Sequence, residues 1–93
     1  MKHATASALK SLTPVLNALR DLPALQEKRP GIFYLRSNAF LYFHEDAAGL
    51  FADAKFHGID FERLPVNTLE EQAALLLRVK RTVLASALRK NGK

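Results

Sequence analysis

The sequence predicts an α+β fold of order α-β-β-β-α. It is an antiparallel meander of three to four strands packed by a long C-terminal helix, with helical segments at the N-terminus. Three observations predict it. Leucines recur at helical spacing before residue 23, aromatic-rich extended runs separated by turn residues follow from Ile32, and a long amphipathic pattern with a capping signature opens at Thr68.

Leu9, Leu12, Leu16, Leu19 and Leu22 stand three or four apart, which places them on one helical face. Thr13 suits an N-cap and Pro14 suits the first helical position, so a break falls there and the main helix runs from Pro14 to Asp21. Pro23 starts a further short turn in "PALQEKR", and Pro30-Gly31 ends the helical region.

From Ile32 the period becomes extended: "IFYLR", "AFLYFHE" and "LFADAKF", with "AFLYFHE" as the central strand. In "RSNA", Asn38 tolerates a left-handed conformation. In "DAAGL", Asp46 suits the first position of a type I turn, and Gly49 suits the left-handed residue of a three-residue loop closed by Asp46 and Leu50. A fourth short strand around "DFERL" is confined to an edge by Pro65.

"NTLEEQAALLLRVKRTVLASALRK" reads as one long helix. Thr68 and Glu71 have capping-box spacing, and Glu70 and Glu71 place negative charge in the first turn. Leu69, Leu76, Val79, Val83 and Leu88 supply the expected buried stripe, widened by Ala73 and Leu77. Arg89 and Lys90 complement the C-terminal end of the dipole, and Gly92 is the expected stop. The order α-β-β-β-α resembles, in topology, the double-stranded RNA-binding domain. That family begins its last helix with lysines that hold phosphates. Glu70 and Glu71 stand at the corresponding positions here and repel them, so membership is not assigned.

At 93 residues the chain is read as a single domain over 1–93, with the first few residues and 90–93 expected to be flexible. There are no cysteines, which excludes disulfides, thiolate metal sites and a cysteine nucleophile. Lys10, Arg20 and Asp21 interrupt the one long Leu-rich region, so no membrane span is expected. The N-terminus lacks an unbroken apolar core of a secretory signal, which makes the cytoplasm the expected location. The net charge of +5 attracts anions at low salt, and on its own it implies a solvated surface more than a nucleic-acid site.

"FLYFHEDAAGLFADAKFHG" (40–58) concentrates histidines, acids and aromatics. With the three-residue loop, His44 is opposite Ala52 and His57 opposite Ala39, about 17 Å apart along the hairpin and on opposite faces. One metal ion cannot hold both, so no metal, no cofactor and no catalytic residue is assigned. No Gly-rich phosphate loop, nucleophile elbow or paired-His helix motif is present, and the reading leans away from an enzyme.

The strands raise a different question. Those at Ile32–Leu35 and Phe40–Phe43 are apolar on both faces, so a second face needs a cover. The N-terminal helix, a second copy of the chain, or a ligand could supply it. In the last case Phe33, Phe43 and Phe51, with Arg36 and Lys55 nearby, form a stacking platform for single-stranded nucleic acid. The leading expectation is a non-enzymatic interaction protein acting as a homodimer. A nucleic-acid-binding module is the alternative, and a small-molecule site between sheet and helix with Tyr42 or His44 as its polar group is the third.

Overall fold

In the computed structural model, which describes residues 2–57 and 60–91 (backbone alone at 2–3 and 89–91), the N-terminal leucines form two helices. A two-residue strand β1 (Lys2–His3) precedes α1 (Ala6–Ser11) and α2 (Thr13–Arg20). Thr5 caps α1, its Oγ1 accepting the Ala8 N–H at 3.3 Å. Pro14 lies in the first turn of α2 as expected, but Thr13 does not cap it. Its hydroxyl donates to the Lys10 carbonyl at 2.7 Å, back across the junction. Leu12, Val15, Leu16 and Leu19 are buried.

"PALQEKR" is not a helical turn. Its last five residues form strand β2 (Leu25–Arg29), which hairpins onto β3 (Ile32–Leu35) through Pro30-Gly31. Proline and then glycine at φ +78° are the residues a type II reversal needs. A Cβ on Gly31 would stand 2.8 Å from Leu9 Cδ2, so the turn also lets α1 approach closely. The dipeptide reverses a chain that is already extended.

Strands β4 (Asn38–Asp46), β5 (Gly49–Ala54) and β6 (Glu62–Pro65) complete an antiparallel sheet ordered β2-β3-β4-β5-β6, and β1 pairs with β4 beyond the end of β3. The class is α+β with β4 in the centre, as expected. The strand count is higher because β2 and β1 join, and β6 is the edge strand that Pro65 implied. Between β3 and β4 the left-handed residues are Arg36 (φ +55°) and Ser37 (φ +73°), not Asn38, which pairs with Leu35.

The β4–β5 turn is one residue shorter than expected. Asp46 pairs with Gly49 across a two-residue Ala47-Ala48 loop, and Asp46 Oδ1 accepts the Ala48 N–H at 2.8 Å. His44 is therefore opposite Phe51, not Ala52, and Phe43 is opposite Ala52. The side-chain period of a strand is two, so this one-residue slip exchanges the faces. The row Phe33–Leu41–Ala54 and the pair Phe43–Ala52 belong to one buried cluster with Leu12, Val15, Leu16, Leu19, Leu75 and Val79. The bulky β4 residues meet small β5 partners, leaving room for helices. The opposite face carries Ile32, Tyr34, Tyr42, His44, Phe51 and Asp53.

Helix α3 (Leu69–Asn91) begins with the expected capping box. The Glu71 N–H donates to Thr68 Oγ1 at 3.0 Å, and Glu71 Oε1 accepts the N–H groups of Thr68 and Asn67. The buried stripe differs from expectation. It consists of Gln72, Leu75, Val79 and Ser86, with Leu76 and Val83 partly buried. Leu69, Ala73, Leu77 and Leu88 face outward instead. The expected stop at Gly92 lies outside the described residues. At 1.5 Å per residue the 23 residues of α3 span about 34 Å. No helix among the described residues is long and apolar enough to cross a membrane.

Candidate functional site

Phe33 and Phe43 are each 1 % exposed, on the face that packs against the helices. Phe51 lies on the other face, paired with His44. The three aromatics expected to form one platform are thus divided by the sheet, and the register slip is the reason. Both N-terminal helices lie on the Phe33–Phe43 side, since α2 joins that cluster and Arg20 of α2 donates to Glu27 of β2 through Nε (2.6 Å) and a second nitrogen (3.0 Å). Neither helix covers the second face.

Tyr42 and His44, expected as polar groups of a pocket between sheet and helix, belong to that second face. His44 and Asp53 are buried there, with His44 Nε2 3.1 Å from Asp53 Oδ2. Arg63 of β6 grips both oxygens of Asp53, at 2.8 and 3.0 Å. The two hydrogen bonds from Arg63 hold the Asp53 carboxyl below its ordinary pKa against the opposing effect of burial, with the His44 charge a further contribution. Tyr42 stacks at an angle on Phe61 at 4.8 Å and meets the edge of His44 at 4.9 Å. The Asp53 carboxylate thus ties β5 to β6 through half-exposed Arg63 and to β4 through His44.

Between sheet and helix the chain does form a cavity, lined by other residues. It holds about 480 Å³ and lies where the β3–β4 turn, the segment after β5 and the C-terminal half of α3 meet. Arg36 and Lys55, singled out in the sequence, both line it. His57, Asn38, Thr82 and Ser86 join them, beside Phe40 and Phe56. Arg36 donates to the Ser86 carbonyl at 2.8 Å, tying the turn to the helix. Thr82 and Ser86 lie four apart on the inward side of α3. Small hydroxyl residues there, continuing a stripe of Leu75 and Val79, were a legible sign of space left open. His57 was read only as a potential partner of His44, which stands in the Asp53 pair. Among the described residues no three His, Asp or Glu side chains are placed to hold a metal ion.

The second candidate surface is the outer side of α3. Leu69 (72 % exposed), Leu77 (50 %), Leu84 (60 %) and Leu88 (61 %) are the exposed large hydrophobic residues among those described. With Ala73 they fall within an arc of about 100° on the helix. A shallow apolar groove continues from this stripe towards α2, lined by Pro14, Val15, Leu69, Gln72, Ala73 and Leu76.

Compared with family models, curated proteins and solved structures, the chain matches none of them.

Proposed function

We propose that the protein is a non-enzymatic interaction protein that works as a homodimer in the cytoplasm, joined through the outer face of α3. One observation carries the reading: the exposed large apolar side chains lie along a single line of one helix. Such a line on a monomer is a liability unless something covers it. A second copy fits it. Set two α3 helices antiparallel, and Leu69 faces the partner's Leu88, Ala73 its Leu84, and Leu77 its Lys80. The stripe is its own complement about a two-fold axis, as an isologous interface requires.

Charge favours the same arrangement. The sequence of α3 starts with Glu70 and Glu71 and ends with Arg89 and Lys90, so antiparallel copies bring opposite ends together. Leu88 of each copy would seat against the groove beside Pro14 and Val15. Lys80 lies inside the stripe and Glu70 at its edge, and a lysine there limits affinity while fixing register. The absence of cysteine fits a reducing compartment.

Sedimentation equilibrium at micromolar concentration is expected to give twice the chain mass of 10.4 kDa. Leu77→Glu with Leu84→Glu should give a folded monomer, because both side chains are already exposed in the single chain. Lys80→Leu should tighten the dimer. A wild-type monomer at that concentration, or a dimer indifferent to both leucine substitutions, would overturn the proposal.

A further inference from the structure

The cavity at the end of the sheet brings basic side chains together. Arg20, Arg63 and Arg78 each hold a carboxylate, from Glu27, Asp53 and Glu62. Arg36, like Arg29 and Arg81, holds none among the described residues, and it donates to the neutral Ser86 carbonyl. Lys55 and His57 line the same cavity, and among the described residues no acidic side chain does. Glu62 is near enough for His57 to help keep it ionised, but its two oxygens are taken by Arg78 at 2.6 and 3.2 Å. Lys55 Nζ rests 4.9 Å from the Phe61 ring centroid, an attraction that leaves its three donors available.

The backbone adds an independent observation. Arg36 and Ser37 both adopt positive φ, the pair of conformations of a two-residue type I′ hairpin turn, for which Asn-Gly is the favoured pair. Strain of this kind in non-glycine residues gathers at ligand sites. Here it presents an arginine to a cavity whose other polar groups are a lysine, a histidine, an amide and two hydroxyls, of which that of Thr82 donates to the Arg78 carbonyl at 2.9 Å.

We propose that this cavity is a binding site for the phosphate group of a small phosphorylated molecule. A dianion with three equivalent oxygens can use Arg36, Lys55 and His57 together with Asn38 and the hydroxyl of Ser86. The Phe40–Phe56 pair, edge to face with centroids 6.3 Å apart, forms an apolar wall for the rest of the ligand. The cavity's volume is in the range of about 300–1,000 Å³ usual for small-molecule sites, and its concave shape favours one small molecule over a polymer backbone.

The test titrates the full chain with phenyl phosphate and inorganic phosphate, following amide chemical shifts, with a single-stranded RNA oligomer in a parallel arm. Saturable shifts are expected at Arg36, Asn38, Lys55, His57, Thr82 and Ser86, with phenyl phosphate bound more tightly than inorganic phosphate. Lys55→Met should weaken binding by about tenfold or more, the loss of one charge-assisted hydrogen bond. The double substitution Arg36→Asn with Ser37→Gly separates binding from folding. It supplies the turn with its preferred residues, so the melting temperature should hold or rise while phosphate affinity falls. The proposal is overturned by shifts that never saturate or that spread over Lys80 and Arg81. It is equally overturned by variants that bind as wild type, or by RNA binding tighter than phenyl phosphate, which would make the site a nucleic-acid interface.

Discussion

Gly49 has φ +130°, and a Cβ built there would stand 2.5 Å from Asn67 Oδ1. That oxygen cannot move aside freely. It accepts the Leu50 N–H at 2.8 Å while the Asn67 amide nitrogen donates to the Leu50 carbonyl at 3.2 Å, so the side chain acts as a short piece of strand. Backbone strain of about 1–3 kcal/mol and disturbance of this clamp both act on a substitution. Gly49→Ala is expected to lose about 2–3 kcal/mol of stability, read as a lower urea midpoint at unchanged slope. The sequence pointed to Gly49 as a left-handed turn residue, and the positive φ is there. The partner that makes glycine necessary, Asn67, is eighteen residues away in the chain. No local pattern marks it.

At the scale of elements, what local chemistry dictates was legible and what packing decides was not. The capping box of α3 was readable because Thr68 and Glu71 are three residues apart and bond to each other's backbone. Which side of α3 is buried was not readable, since Leu75–Val79 and Leu77–Leu84 are apolar stripes on different sides of one helix. Strand β2 was missed because Leu25 is the one large apolar residue in "LQEKR". It earns its place in the sheet through Leu25 burial and the Arg20–Glu27 link to α2. The β4–β5 loop was misjudged by one residue, since Asp46 and Gly49 suit loops of either length. The volume of the core arbitrates: Phe43 and Leu41 fit over Ala52 and Ala54, and the slipped register would bury His44 and Tyr42 under the helices. Half of the candidate cavity, Arg36 and Lys55, was legible as basic residues beside the strands. Thr82 and Ser86 were not, because their approach depends on where α3 crosses the sheet.

For the whole molecule, three arginine–carboxylate pairs among the described residues join successive elements: Arg20–Glu27, Asp53–Arg63 and Glu62–Arg78. In each the arginine's hydrogen bonds are the largest influence and hold the carboxyl below its ordinary pKa. A carboxyl depressed in the folded state contributes stability that is complete above its unfolded pKa, about 3.9–4.3, and is lost as pH falls through the folded value. Thermal stability is therefore expected to be level around neutral pH with respect to these groups and to fall below about pH 4. Asp53→Asn should be less stable than wild type at neutral pH, and the gap should narrow in acid, where the wild-type carboxyl also becomes neutral. Melting temperatures of both proteins across that range check this.

The short strand β1 has a consequence for how the protein must be handled. β4 runs past the end of β3, and the Ala4 N–H donates to the Phe43 carbonyl while Lys2 and His3 pair with Glu45 and His44. The outer strands have their own deterrents to sheet growth, in the charged residues of β2 and in Pro65 of β6. At the far end of β4, besides the charges of Glu45 and Asp46, the first residues of the chain cover the strand. Deleting residues 1–4 would uncover unpaired backbone beside "YFH", an aromatic-rich template for a foreign strand. The truncated protein is expected to keep its fold when dilute and to form thioflavin-positive aggregates on concentration, at levels where the intact chain stays clear.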